Sequence, residues 1–217
     1  RKPRRLPNFT CLSNLHPRIL CDKEFPMIIT NRHNLSPLWV HVVEHFLSKP
    51  RFGMHATDLV KPVRALLLER RHFDTIETDV SEWMNVLFGH AMHHLVEKYG
   101  KGDAIVEQPF YFQFTIDGGT PLSYIISMRP DRLEPLDPDY VQRKYPALMQ
   151  ADALYFALRD LKLTTVWAIQ KAESEGKEEW DAQQSIYAYF LKRIHFVVCE
   201  AWIEGVPRDW SYTEAVI

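Results

Sequence analysis

Asp131, Asp160 and Lys162 are the residues whose types and spacing best suit chemistry. In Asp160-Leu161-Lys162 the acid and the lysine stand two apart, so on a strand both side chains leave by the same face. Pro130-Asp131 upstream supplies a second carboxylate. Carboxylates suit a hard divalent cation. Mg²⁺ takes one or two of them and fills its shell with waters and phosphate oxygens, and Mn²⁺ accepts the same ligands plus an imidazole. A cation so held polarises a phosphodiester and acidifies a bound water, while the Lys162 ammonium can orient that water or offset charge at phosphorus. The backbone carbonyl of Leu161, between the two side chains, is a natural further ligand.

These groups act together only if the chain converges on them. Residues 1–37, rich in Pro and Arg, read as an irregular arm, and the run Arg1-Lys2-Pro3-Arg4-Arg5 as a basic arm or a plain tail. Helical spacing runs over Pro37–Leu47. Thr57 is expected to cap a helix over Asp58–Arg70 in which Leu59, Val63, Leu66 and Leu67 share one face. Asp79 suits the N-cap of a helix over Val80–Tyr99, ending before Gly100-Lys101-Gly102. The period then changes. Ala104–Ile116 is rich in aromatic and β-branched residues, Asp117-Gly118-Gly119 marks a turn, and Pro121–Leu133 reads as the returning strand. Glu134–Pro146 reads as a loop entering a short helix, Leu154–Thr165 as a third strand, and Glu173–Glu179 as a polar connection. Trp180–Ile194 has the pattern of an amphipathic helix and Phe196–Ile203 that of a last strand. This order predicts an α/β fold, a mixed central sheet flanked by helices, with residues 1–54 a helical N-terminal elaboration of the same domain as 55–217. If the second and third strands pair, Asp131, Asp160 and Lys162 meet.

Composition sets bounds. The 217 residues are 46% hydrophobic, enough for one substantial core. A net charge of −2 does not announce a nucleic-acid binder, although it averages over both faces and leaves room for a local basic stripe. Cys11, Cys21 and Cys199 form no CxxC pair, so no iron–sulfur cluster or cysteine-only zinc site is expected, and a reducing compartment is the simplest setting. No apolar run reaches membrane-spanning length and no signal-peptide pattern is present.

Pro130-Asp131 followed by Asp160-x-Lys162 resembles the PD-(D/E)XK nuclease superfamily. Flanking motifs narrow the resemblance to its RecB-like exonuclease branch. Gly89-His90-Ala91-Met92-His93, with Glu97 one turn on, is similar to that branch's helical histidine motif, and Gln183-x-x-x-Tyr187 to its covering helix. His55–Leu59 through Pro62-Val63-Arg64 and Arg71-His72, then Thr164–Trp167 and Arg208-Asp209-Trp210, resemble phage-encoded members. The resemblance spans roughly residues 55–210. It implies a restriction-endonuclease-like core and a Mg²⁺- or Mn²⁺-dependent deoxyribonuclease, an exonuclease of recombination, repair or phage genome processing in the cytoplasm of a bacterial host. It implies His93, Asp131, Asp160 and the Leu161 carbonyl as metal ligands, and Lys162 as the water-handling cation. Gln183 and Tyr187 would then support the site and the DNA strand. DNA would be the partner, and a single-strand annealing protein or a second copy a further one.

Other residues are weighed against blander roles. Glu97 and Glu107 are candidates to ligate the metal or support its ligands, although surface carboxylates are common. Arg129 and Arg132 flank Asp131 and, with Arg64, are candidates for phosphate contact. His90 and His94 read as ordinary helix residues. Met128 stands where the family commonly carries a small residue, the Asp131–Asp160 connection is long and proline-rich, and Gln184 follows Gln183 where leucine is usual. These departures leave open a catalytically inactive relative that binds DNA or a partner protein.

Overall fold

The computed structural model describes residues 27–47, 53–100, 102–116 and 122–209. A short strand β1 (Ile28–Thr30) precedes helix α1 (Pro37–Leu47) and strand β2 (Met54–His55). Residues 28–30 thus leave the expected irregular arm. They pair in parallel with β3 (Glu77–Asp79), which exhausts its length before helix α3 (Val80–Tyr99) begins. Asp79 caps α3 as expected: its carboxylate accepts from Ser81 N at 3.0 Å, Thr30 Oγ1 at 3.1 Å and Arg32 N at 2.7 Å. One side chain therefore closes the helix start and ties β1 to it. These donors hold the Asp79 carboxyl far below the usual carboxylate range, the Ser81 hydroxyl contributing most.

The helix expected over Asp58–Arg70 is broken. Ala56–Val60 form a 3-10 turn, and helix α2 runs Val63–Arg71. Pro62 explains the break, because proline forces the preceding residue out of helical backbone, and Lys61 is extended at φ −74°, ψ 147°. Asp58, rather than Thr57, closes the turn, accepting from His55 N at 3.1 Å. The shared apolar face is not buried among the described residues: Leu59, Val63 and Leu67 are exposed.

Strands β4 (Ile105–Val106), β5 (Phe110–Ile116) and β6 (Leu122–Met128) follow, then β7 (Arg132–Pro135) and helix α4 (Pro138–Lys144). The returning strand of the hairpin is thus two strands. β5 and β6 pair antiparallel, and the turn residues between them lie outside the described segments. Pro130, which has no N–H to give a ladder, falls in the gap between β6 and β7. Asp131 sits in that gap, at the junction of two sheets ordered β2-β6-β5 and β4-β7-β8-β9.

The remaining elements are β8 (Leu154–Thr164), α5 (Val166–Glu175), α6 (Glu178–Lys192) and β9 (Phe196–Pro207). The expected polar connection over Glu173–Glu179 is therefore largely helical, its first residues ending α5 and its last two opening α6. The two helices form the crossover that parallel strands β8 and β9 require. Apolar and aromatic residues bury β8 on both faces, as a central strand demands. Tyr155 packs with Val141 and Val197 on one side. Phe156 and Leu158 pack on the other, with Tyr187, Phe190 and Leu191 of α6 and Met128 of β6. Met128, 1% exposed, thus fills core volume rather than crowding the gap beside Asp131.

Gln184 is the misfit in this packing. It is buried on α6 one turn before Tyr187, and neither amide atom has a hydrogen-bond partner among the described residues. Replacing an unsatisfied buried amide by an apolar group of similar volume removes a desolvation cost of about 1–3 kcal/mol. Gln184→Leu is therefore expected to raise the denaturation midpoint with an unchanged m-value in urea titration.

Candidate functional site

The packing just described dictates where Asp160 goes. It shares the face of β8 that carries Phe156 and Leu158, so it enters the layer under α6 and is only 2% exposed. A carboxylate in that position needs partners. Gln183, reaching down from α6, donates Nε2 to Asp160 Oδ1 at 2.9 Å. Lys162 Nζ lies 2.7 Å from Asp160 Oδ2 and donates to Gln183 Oε1 at 3.0 Å. The Lys162 pairing with Oδ2 is an ion pair without a well-directed hydrogen bond, so this buried oxygen keeps lone-pair capacity.

Asp131 reaches the same place from the other side. β7 pairs with β8 only as far as Arg132 opposite Arg159, so beyond that point no strand among the described residues lies along that edge of β8. Asp131 takes the next position with its side chain: Leu161 N–H donates to Asp131 Oδ2 at 2.5 Å. The N–H and C=O of one strand residue leave by the same edge, which directs the Leu161 carbonyl toward that side also.

His93 approaches from α3. Its Nδ1 lies 2.7 Å from Glu107 Oε1 and 3.4 Å from Asp131 Oδ1. His93, Glu107 and Asp131 each present a ligand atom within 4.8 Å of the others, a set that can hold a metal ion. Glu107 was legible only as one candidate carboxylate among several. It is 7% exposed, sits between β4 and β5 with φ +50°, and its N–H donates to the Asp131 carbonyl at 3.1 Å. A left-handed backbone at a non-glycine residue costs about 1 kcal/mol or more and concentrates at functional positions. The signal available in the sequence was a lone acid between the apolar stretches Ala104–Val106 and Pro109–Phe112.

The electrostatics follow from burial. Asp131 is pushed up to about 6, first by desolvation and then by the Asp160 charge. Burial also raises Asp160, with Lys162 opposing. His93 is raised, chiefly by its hydrogen bond to Glu107. Burial and Asp160 raise the Tyr187 phenol, which stays neutral. Asp131 is raised in part by the Asp160 charge, which a bound cation would offset, and oxygen ligands with one imidazole match what Mg²⁺ or Mn²⁺ accepts. The residues fit a divalent cation.

Not every expected residue joins the cluster. Tyr187 is 5% exposed and receives Gln183 Nε2 at 3.3 Å, so it props Gln183 from within the core. Glu97 is half exposed and stands at the rim, 3.7 Å from His94 and 3.9 Å from Arg129. Arg129 binds Glu107 through Nε, at 2.6 Å to Oε2 and 3.1 Å to the carbonyl, leaving the rest of its guanidinium at the surface. Arg132 Nε is committed to Glu134 at 2.8 Å, in a network with Arg159 and Glu204 rather than toward the cluster. Arg64 lies exposed on α2. His90 packs its ring on Phe46 at 4.6 Å. Asp209 joins the end of β9 to the start of α5 by accepting from Val166 N at 2.8 Å; Cys11, Cys21, Trp210 and the basic run at residues 1–5 lie outside the described residues. Among the described residues no helix is long and apolar enough to cross a membrane.

Fold and site together define a mixed α/β protein with a cluster of buried carboxylates beside a histidine and a lysine at a sheet junction. No family model matches the chain, and no curated protein matches it. A solved structure titled "Crystal structure of SSO0001" is similar over 70% of this chain, at 17% identity and a TM-score of 0.43. The similarity covers 64% of that protein, so this chain spans less than two thirds of its length.

Proposed function

We propose that this chain is a divalent-metal-dependent deoxyribonuclease with a restriction-endonuclease-like core of the RecB-like type, acting as an exonuclease in recombination, repair or phage genome processing. One observation carries the reading. Asp131, from the gap between two sheets, and Asp160, from a central strand, converge with Lys162 and Gln183 around Leu161 in one array of hydrogen bonds and an ion pair. Buried acids beside a lysine, one on a central strand and one in the gap between sheets, suit handling of a phosphodiester.

A bound Mg²⁺ or Mn²⁺ would supply Lewis-acid polarisation of the phosphate and an acidified water. Asp131, Asp160, His93 and the Leu161 carbonyl are the groups to hold it. Lys162, fixed by Asp160 and Gln183, presents an ammonium to the attacking water or the charged phosphorane. Gln183 keeps that ammonium in place, and the neutral Tyr187 phenol keeps Gln183 from rotating. The arrangement at Arg129 leaves part of one guanidinium for substrate phosphate.

The test is release of acid-soluble nucleotides from linear double- and single-stranded DNA with Mn²⁺ or Mg²⁺. Chelator-sensitive release that disappears in Lys162→Ala supports the reading. No release with either cation, together with retained DNA binding, would instead identify an inactive binding module.

A further inference from the structure

We infer that Glu107 is a direct ligand of a divalent cation, in a position formed with His93 and Asp131 and separate from the one Asp160 borders, and that Arg129 is the residue that positions it. The inference rests on reading this pocket as a cation site, not on what the cation does to DNA.

The geometry points the Glu107 carboxylate two ways. Oε1 faces His93 Nδ1 at 2.7 Å, and Oε2 faces Arg129 Nε at 2.6 Å. Ligands about 2.1 Å from a cation stand about 3.0 Å apart along an octahedral edge. The His93–Glu107 and His93–Asp131 separations of 2.7 and 3.4 Å bracket that edge, so small side-chain motions admit an ion between these atoms. Asp160 does not belong to this position; its oxygens are turned to Gln183 and Lys162. Asp131 and His93 are common to both positions, Asp131 with one oxygen toward His93 and the other on Leu161 N–H, and Glu107 is the ligand that distinguishes this one.

The backbone is shaped around the same group. Glu107 holds φ +50°, its N–H on the Asp131 carbonyl and its own carbonyl on Arg129 Nε. Arg129 therefore grips both the side chain and the main chain of Glu107, which fixes Oε1 toward His93. A purely structural ion pair between Arg129 and Glu107 would not require an imidazole and a second carboxylate at ligand spacing on the opposite oxygen. The donor set of one imidazole with carboxylates favours Mn²⁺ over Mg²⁺.

Mn²⁺ binding to the full chain, followed by the electron paramagnetic resonance signal of free Mn²⁺ and by calorimetry, tests this without reference to cleavage. Glu107→Gln is expected to weaken the tight Mn²⁺ by about 10-fold or more, and Arg129→Met by about 10-fold with partial recovery in Arg129→Lys. Asp160→Asn is expected to retain this ion. Glu107→Asp is the second variant: aspartate tolerates positive φ but draws the carboxylate back by one methylene, so it should fold and still lose the ion. Wild-type Mn²⁺ affinity in either folded Glu107 variant, or no Mn²⁺ binding by the wild-type chain, overturns the inference. Mn²⁺ binding that depends on Glu107 in a chain that releases no nucleotides would sink the nuclease reading and leave this site standing.

Discussion

Asp160→Asn is expected to lower metal-dependent nucleotide release by about 10³-fold or more, the scale of losing a preorganised charged group at a reacting centre. The same change should shift the melting temperature in chelator by no more than a few degrees. Both halves follow from the surroundings of Asp160. It is 2% exposed, and burial already disfavours its charge, so an amide of the same shape relieves desolvation rather than adding it. Gln183 can still donate to the amide oxygen, and Lys162, a quarter exposed, can turn its ammonium to water. What disappears is the buried anion that fixes Lys162 and offers Oδ2 to a cation. Nucleotide release and thermal melting measured on one preparation separate chemistry from folding. Substantial cleavage by a folded Asp160→Asn protein would remove Asp160 from the reaction.

Asp131 gives the second large effect, on stability against pH. Its folded value is raised to about 6 from an ordinary 3.8, so the fold prefers the neutral acid. The unfolded chain loses this proton first as pH rises. Without metal, stability is therefore lost between about pH 4 and 6, and the cost persists above, amounting to about 2–3 kcal/mol at 1.36 kcal/mol per pKa unit. His93 acts in the same direction, because its raised value adds stability below 6.5 that is lost as pH climbs through the folded value. Urea unfolding in chelator should thus show a less stable protein at pH 7.5 than at pH 5. Asp131→Asn, whose amide oxygen can still accept from Leu161 N–H, should remove most of that slope and be the more stable protein at pH 7.5. Mn²⁺ should stabilise the wild-type chain more at pH 7.5 than at pH 5, since it competes with protons for these ligands, and should barely affect Asp131→Asn. A flat pH dependence in chelator would mean Asp131 is not desolvated as described.

Local signals carried much of this. Asp79 before an apolar-periodic run marked α3 at both ends, because an N-cap side chain and a glycine stop act within a few residues. The two-residue spacing of Asp160 and Lys162 put them on one face whatever the strand paired with. Pro62 breaks the helix that spacing predicts over Asp58–Arg70, since proline constrains the residue before it as well as its own position. Helix α5 leaves little trace in the spacing because its second half is polar, and only the parallel pairing of β8 with β9 reveals that a long crossover is required.

The sequence by itself determined the chemical types available, the faces on which they stand and the mixed α/β class. The tertiary structure decided which of them meet. Glu107 and Asp131 are joined by a backbone hydrogen bond across 24 positions, and His93 comes to both from a helix. Tyr187 sinks into the core, while Arg132 turns away to Glu134. Such outcomes depend on where β7 stops pairing with β8 and which layer α6 covers. They are set by packing between distant segments, and spacing along the chain carries no record of it.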